Sequence, residues 1–320
     1  MNPASAMTII GAGAIGGWVA ARLALSGADV SVVARGETLR AIGADGLKIT
    51  EAGETSSVDV AVTDDPATLG EQQIVVLAVK APALADAALA ARQLIGAETA
   101  ILPMLNGVPW WFTGDRLACV DPNGAIAASI PVEQVIGGVV HASCYREAPN
   151  HVVVKHSDKI LIGEPQGGTS ERIARLFGLL DHAGLRPDRT GNIRRAIWYK
   201  LWGNATINPL SALTRSTADK LLDDPAIRGL MAEAMDELAA IGAAIGCPIE
   251  ESAEDRMAVT ARLGAFKSSM LQDVEAGRPI ELESLLGAPR EIAGTVGVPT
   301  PQLDRIYAMT RLMGKNLGLL

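Results

Sequence analysis

Near-continuous apolar runs at Met7–Ile10, Val30–Val33, 74–79 and 100–104 alternate with helical patterns over the first 190 positions. Short runs rich in Val and Ile predict strands buried on both faces, as in a parallel sheet covered by helices. Between them, residues 15–25 and the alanine-rich 83–94 are long enough for crossover helices. Ile15, Val19 and Leu23 recur every fourth position and give the first of these an apolar face. The runs 137–140, 151–154 and 160–162 follow at close spacing with turn residues between, and predict an antiparallel extension of the sheet. From about Asn192 strand signals vanish. Helical periodicity then fills 193–206, 225–246, 251–276, 283–297 and 301–317. Pro209, Pro225, Pro248, Pro279 and Pro299 are expected to break these helices or sit in their first turns. Gly, Pro, Asp and Asn cluster in 184–192, which puts the domain boundary there: residues 1–190 an α/β domain, residues 191–320 an all-α one.

Composition narrows the classes. A chain of 320 residues suits two domains, and 48% hydrophobic with 20% charged residues excludes a disordered one. A net charge of −8 with no Lys/Arg-rich block argues against a nucleic-acid partner. Cys119, Cys144 and Cys247 are scattered and form no CxxC pair, and the four histidines show no ligand spacing, so no metal site is expected. No apolar run reaches 18 residues and the first residues lack a signal-peptide pattern, which predicts a cytoplasmic protein with no membrane partner. The helical domain could supply a homodimer interface, though no pattern marks the face.

The first candidate chemistry is Gly11-Ala-Gly13-Ala14-Ile15-Gly16, directly after one predicted strand and opening a helix. In that context the first glycine serves a tight turn, the second admits a pyrophosphate to the backbone, and the third lets helix pack on strand. The free N–H groups and positive dipole end of the helix favour phosphate. The N-terminal domain is therefore expected to be a dinucleotide-binding unit of the Rossmann type. The next strand runs into Ala34-Arg35-Gly36, with Arg35 where an acid would bind the ribose 2′-hydroxyl of NAD. Arginine there suits a 2′-phosphate, so NADP(H) is the expected cofactor, although Glu37 lies close by.

Ligands of such sheets bind beyond the carboxyl ends of the strands. Lys80 and Asn106 stand at two such ends; each equally fits a solvated loop lysine and plain Asn-Gly turn chemistry. In the helical half, Lys200, Asn204 and Asn208 recur at four-residue spacing and so share one helix face amid apolar residues. A lysine in such surroundings has a lowered pKa, which a general acid near neutral pH requires. A snorkelling lysine with capping asparagines would fit the same pattern. Trp198 and Trp202 are expected to be core residues.

These residues resemble the ketopantoate reductase (2-dehydropantoate 2-reductase) family. The resemblance runs from Met7 to about residue 315 and rests on six motifs in order. They are GAGAIG at 11–16, Val-Lys80, Asn106-Gly107, Lys200-Leu-Trp-Gly-Asn204-Ala-Thr-Ile-Asn208-Pro-Leu, Ser268-Ser269-Met-Leu-Gln-Asp273 and Gly277-Arg-Pro-Ile-Glu281. It implies NADPH-dependent reduction of a 2-oxo acid, foremost ketopantoate in pantothenate biosynthesis. It further implies that Lys200 protonates the carbonyl oxygen and that Asn106, Asn204, Asn208 and Ser269 bind substrate. Glu281 would orient substrate and lysine; Gly11, Gly13, Ala14, Ile15, Gly16, Arg35, Lys80 and Asn106 would hold the cofactor. Two departures bear on the substrate: Trp110-Trp111-Phe112 follow the Asn-Gly turn, and Glu283 replaces the aspartate often found two positions after the glutamate. A reductase of a different 2-oxo acid is therefore an alternative, and a non-catalytic NADP-binding sensor a more distant one.

Overall fold

A computed structural model describes residues 6–262 and 264–320. Two units emerge: one runs to Leu105 and resumes at Gly124–Ala196, the other joins Asn106–Asn123 to Ile197–Leu320. Among its described residues the first holds ten strands in chain order: β1 (Met7–Ile10), β2 (Val30–Val33), β3 (Leu47–Glu51), β4 (Glu54–Val58), β5 (Ala61–Thr63), β6 (Gln72–Leu77), β7 (Ile95–Pro103), β8 (Gly137–Ala148), β9 (His151–Gly163) and β10 (Pro187–Arg189). Its helices are α1 (Ala14–Leu25), α2 (Gly36–Asp45), α3 (Leu84–Ala91), α4 (Ala125–Ser129) and α5 (Glu171–His182).

One sheet has the order β5-β2-β1-β6-β7 with every pairing parallel. Its central strand β1 is buried at all four positions, as a strand covered on both faces must be. The antiparallel segment differs from expectation in two respects. Residues 151–154 and 160–162 belong to one long strand, β9, because the polar stretch between them stays extended. Rather than extending the parallel sheet, β9 builds a second one, pairing with β8 antiparallel and with β3 and β10 in parallel. An isolated bridge, Ile101 to Val135, links the region to β7.

Helix α1 packs into the core that both sheets share, and its composition explains how. Trp18, Val19, Ala20, Ala21 and Leu23 are all buried, so the helix is apolar around its circumference rather than along the one expected stripe. Two adjacent glycines permit the close packing. A Cβ on Gly16 would stand 1.9 Å from the Gly11 carbonyl oxygen, and one on Gly17 would stand 2.7 Å from Val152 of β9.

The second unit is helical among its described residues. α6 (Ile193–Thr214) begins in the first unit and continues into the second. It is followed by α7 (Ala218–Asp223), α8 (Pro225–Ala244), α9 (Ala253–Ala261) and α10 (Ser269–Glu275). A π-helical turn, Glu283–Gly287, leads into α11 (Ala288–Val296), and α12 (Pro301–Asn316) ends the series. Pro209 lies inside α6 rather than ending it. The stretch 251–276, expected as one helix, is two. α9 and α10 are separated by a segment in which Gly264 takes φ +63° and the Ser268 hydroxyl caps α10 by accepting from Leu271 N–H.

The expected boundary at 190/191 also needs correction, because residues 106–123 pack with the helical unit. Phe112 stacks on Trp198 with ring centroids 5.9 Å apart, and Val108 N–H donates to the Ser284 carbonyl at 2.8 Å. Buried aromatic surface and a paired backbone group outweigh sequence proximity to the sheet.

Candidate active site

In the first unit the glycine turn has the shape a dinucleotide needs. Gly11 adopts φ +99°, and its N–H donates to the Val33 carbonyl at 3.1 Å. A Cβ there would strike Val79 at 2.6 Å and the Ala78 carbonyl at 2.8 Å, so only glycine turns the chain at this point. Around Gly13, by contrast, a Cβ would meet nothing nearer than 3.9 Å, which leaves its face open to approach. Gly13 stands at the N-cap of α1 without a side-chain cap, and the first turn, with Ala14 and Ile15, carries no acidic residue. Uncapped N–H groups at the positive end of a helix dipole suit an anion. The residues present thus fit a pyrophosphate.

Arg35 is the N-cap residue of α2 and is exposed, with its guanidinium 3.7 Å from the Asp86 carboxylate. A surface pair at that distance contributes ~1 kcal/mol or less and leaves the guanidinium available to a stronger anion. Lys80 follows β6 at the N-cap of the short 3-10 turn Ala81–Ala83, where its carbonyl accepts from Ala83 N–H.

The second unit gathers the remaining candidates. Lys200, Asn204 and Asn208 lie on α6, which is anchored by its two tryptophans. Trp198 donates from Nε1 to the Leu238 carbonyl at 3.0 Å and Trp202 to the Met235 carbonyl at 2.8 Å, both on α8. The tryptophans are therefore core residues, and they fix the rotation of the polar face. Asn204 donates from Nδ2 to Asn106 Oδ1 at 3.0 Å, which joins the helix to the Asn-Gly turn. Asn208, 3% exposed, makes a long 3.4 Å contact from Nδ2 to Ser269 Oγ at the start of α10. Lys200, Asn106, Asn204, Asn208 and Ser269 come together in this way.

Glu281 is delivered to the same place by a short, well-tied connection. The buried carboxylate of Asp273 on α10 accepts from Arg278 Nε at 3.0 Å, while Arg278 N–H donates to the Asp273 carbonyl at 2.8 Å. Ile280 N–H then donates to the Leu319 carbonyl, one residue before the glutamate. Glu281 acts on Lys200 electrostatically. Removal of the ammonium from water lowers the lysine pKa from 10.5 to about 8, and the Glu281 carboxylate opposes that fall. A lysine poised there holds or releases a proton near neutral pH.

Sequence reasoning missed the contribution of Gly107 and Ser284. Gly107 adopts φ +83°, and a Cβ there would stand 2.4 Å from the Ser284 carbonyl oxygen. Pro289 is the signal for the turn beneath it. It has no N–H to offer the Ser284 carbonyl five residues back, Ala288 N–H donates instead to Glu283, and the freed Ser284 carbonyl takes Val108 N–H. Trp110 and Trp111, expected to border the site or pack in the core, are 5% and 7% exposed in a segment of turns rather than a helix. Neither indole N–H has a hydrogen-bond partner. Among the described residues no group of three metal-ligating side chains occurs, and no helix is long and apolar enough to cross a membrane.

Comparison with known proteins adds to this geometry. Residues 7–167 match the family model Ketopantoate reductase PanE/ApbA, and residues 192–314 match that of its C-terminal region. A 2-dehydropantoate 2-reductase of Mesorhizobium japonicum is 40% identical, the match covering 98% of either chain. A solved structure from Ralstonia solanacearum, assigned to the ketopantoate reductases, superposes with TM-score 0.96 at 46% identity over 99% of this chain and all of that one. A D-mandelate dehydrogenase solved with NADH and anilino(oxo)acetate shares the fold at TM-score 0.85 and 21% identity, covering 98% and 99% of the two chains.

Proposed function

The chain belongs to the ketopantoate reductase family, and we propose that it reduces 2-dehydropantoate to pantoate with NADPH, a step of pantothenate biosynthesis. The observation that carries this reading is the cluster of Lys200, Glu281, Asn106, Asn204, Asn208 and Ser269 in one unit, with the lysine pKa near 8. When bound, the nicotinamide supplies hydride to the carbonyl carbon of the 2-oxo acid. Lys200 holds the proton that the carbonyl oxygen receives, and its positive charge stabilises the alkoxide as it develops. Asn204 and Asn208 have amide groups to offer the substrate's oxygens, and the Ser269 hydroxyl adds a further donor. Asn106, paired with Asn204, would bind substrate and contact the cofactor. Glu281 keeps the lysine charged near neutral pH and orients it.

The glycine turn with Ala14, Ile15 and Gly16 would hold the pyrophosphate, with Lys80 beside the cofactor. Arg35, exposed at the end of β2, would pair with a 2′-phosphate. A second reading keeps the reaction and changes the acid. It rests on the departure from the family pattern at Trp110 and Trp111 just past Asn106, both of them buried.

The deciding experiment follows NADPH and NADH oxidation against a panel of 2-oxo acids including 2-dehydropantoate. Turnover of 2-dehydropantoate, faster with NADPH, is expected. Turnover of another acid alone would move the assignment to the second reading. Equal use of both cofactors would remove Arg35 from the 2′-phosphate role.

A further inference from the structure

Glu281 owes its place to what holds its neighbours. Ile280 and Leu282 are each 1% exposed, and the half-buried glutamate lies between them. Residues 278–281 lie outside any helix, so Ile280 finds its backbone partner in a distant part of the chain: its N–H donates to the Leu319 carbonyl at 3.1 Å. The Ile280 side chain reaches α12 as well, where a Cβ on Gly314 would stand 3.2 Å from its Cδ1.

The acceptor is itself fixed in place. Beyond α12 the chain turns at Gly318, which takes φ +66°. Gly318 N–H donates to the Lys315 carbonyl at 3.1 Å, and Leu319 N–H to the Gly314 carbonyl at 2.8 Å. These two bonds are the usual end of a helix capped by a left-handed glycine. Leu319 is 3% exposed, whereas the adjacent Leu320 is exposed. Burial thus anchors the one residue of this turn whose carbonyl serves Ile280.

We propose that Leu319 is a positioning residue of the candidate site, its carbonyl fixing Ile280 and so holding the Glu281 carboxylate where it acts on Lys200. This rests on the reading of Lys200 and Glu281 as part of a site of 2-oxo acid reduction. Attraction between charges weakens with separation, and a displacement of about 1 Å at a reacting group can cost about 100-fold in rate. Loosening the tie takes the carboxylate from a lysine that stays buried, which lowers the lysine pKa further. A general loosening of the helical unit does the opposite, because water reaching the ammonium returns it toward its ordinary value.

The test follows kcat/KM against pH in the full-length protein, with the acid of the panel that wild type turns over best. Leu319→Ala removes the anchor. Gly318→Ala strains the turn more mildly, since a Cβ there meets nothing within 4 Å and only the backbone conformation suffers. Leu319→Met keeps the apolar volume, and Leu320→Ala alters the exposed neighbour. On the plateau below the descending limb, kcat/KM is expected to fall about tenfold in Leu319→Ala and about threefold in Gly318→Ala. In both variants the limb should move to lower pH by about half a unit or more. Leu319→Met should restore both quantities, and Leu320→Ala should match wild type. A limb that stays in place or moves upward in either loosened variant overturns the proposal. So does a Leu319→Met variant as impaired as Leu319→Ala, or a Leu320→Ala variant that reproduces the loss. Should Leu319→Ala not fold, Gly318→Ala decides by the same criteria. Wild type is read first: if it reduces no 2-oxo acid, the proposed function fails and takes this inference with it. If it does, the variants judge Leu319 alone.

Discussion

Lys200 concentrates the chemistry at the scale of single residues. Its pKa near 8 has a sign that matters: the folded protein binds that proton less tightly than the unfolded chain, whose lysine titrates near 10.5. The ammonium therefore opposes folding below pH 8, and stability from this group rises as pH climbs from about 8 to 10.5. Lys200→Ala is accordingly expected to lower kcat at least about 100-fold without lowering the thermal midpoint at pH 7. Near-normal turnover in that variant would discharge the lysine from its role. Because the acid form is needed, kcat/KM, which reports the free enzyme, should fall as pH rises through about 8. Glu281 raises the lysine pKa, so Glu281→Gln should move that descending limb to lower pH; a limb shifted upward would contradict the assignment. The face shared by Lys200, Asn204 and Asn208 was legible in the sequence because helical spacing alone produces it. The partnership of Asn204 with Asn106 was not, since 98 residues separate them and no local pattern encodes such a meeting.

Elements were legible where burial was symmetrical. The apolar runs of β1, β2, β6 and β7 read directly as strands of a covered sheet. β4 was not seen, because it is the edge strand of the second sheet and four of its five residues are exposed, which removes the alternation that betrays a strand. β9 looked like two strands because its middle is polar. The π turn, in which Ala288 N–H reaches back five residues to Glu283, carries no signal that helical periodicity registers. Gly16 and Gly17 are the element-scale constraint with the sharpest consequence. A methyl at Gly16 would lie 1.9 Å from the Gly11 carbonyl, so α1 would be pushed off the strand it follows. Gly16→Ala should therefore lower the thermal midpoint and weaken NADPH binding together, the latter read by titrating NADPH fluorescence. Tight binding by that variant would show that the turn tolerates a wider helix. Gly17→Ala, which meets the Val152 side chain instead of backbone, should cost stability while sparing more of the affinity.

For the whole molecule, the units do not follow the order of the chain. The change from strand to helical patterns near residue 190 was legible, yet residues 106–123 leave the α/β half to pack with helices that lie much later in the sequence. Phe112 covers Trp198, and Val108 satisfies the Ser284 carbonyl. A fragment beginning at Ile197 would expose that aromatic face and lose the Asn106 partner of Asn204. Such a fragment is expected to lack cooperative thermal unfolding, followed by near-ultraviolet circular dichroism; a sharp transition equal to that of the full chain would refute this. The same detour constrains the protein while it is being made. Phe112 leaves the ribosome long before its partner Trp198 exists, and Val108 longer still before Ser284 does. For that interval three large aromatic side chains wait while β8, β9 and β10 of the α/β half are still being made. Slow translation between residues 123 and 284 should lengthen the wait and increase demand for chaperones.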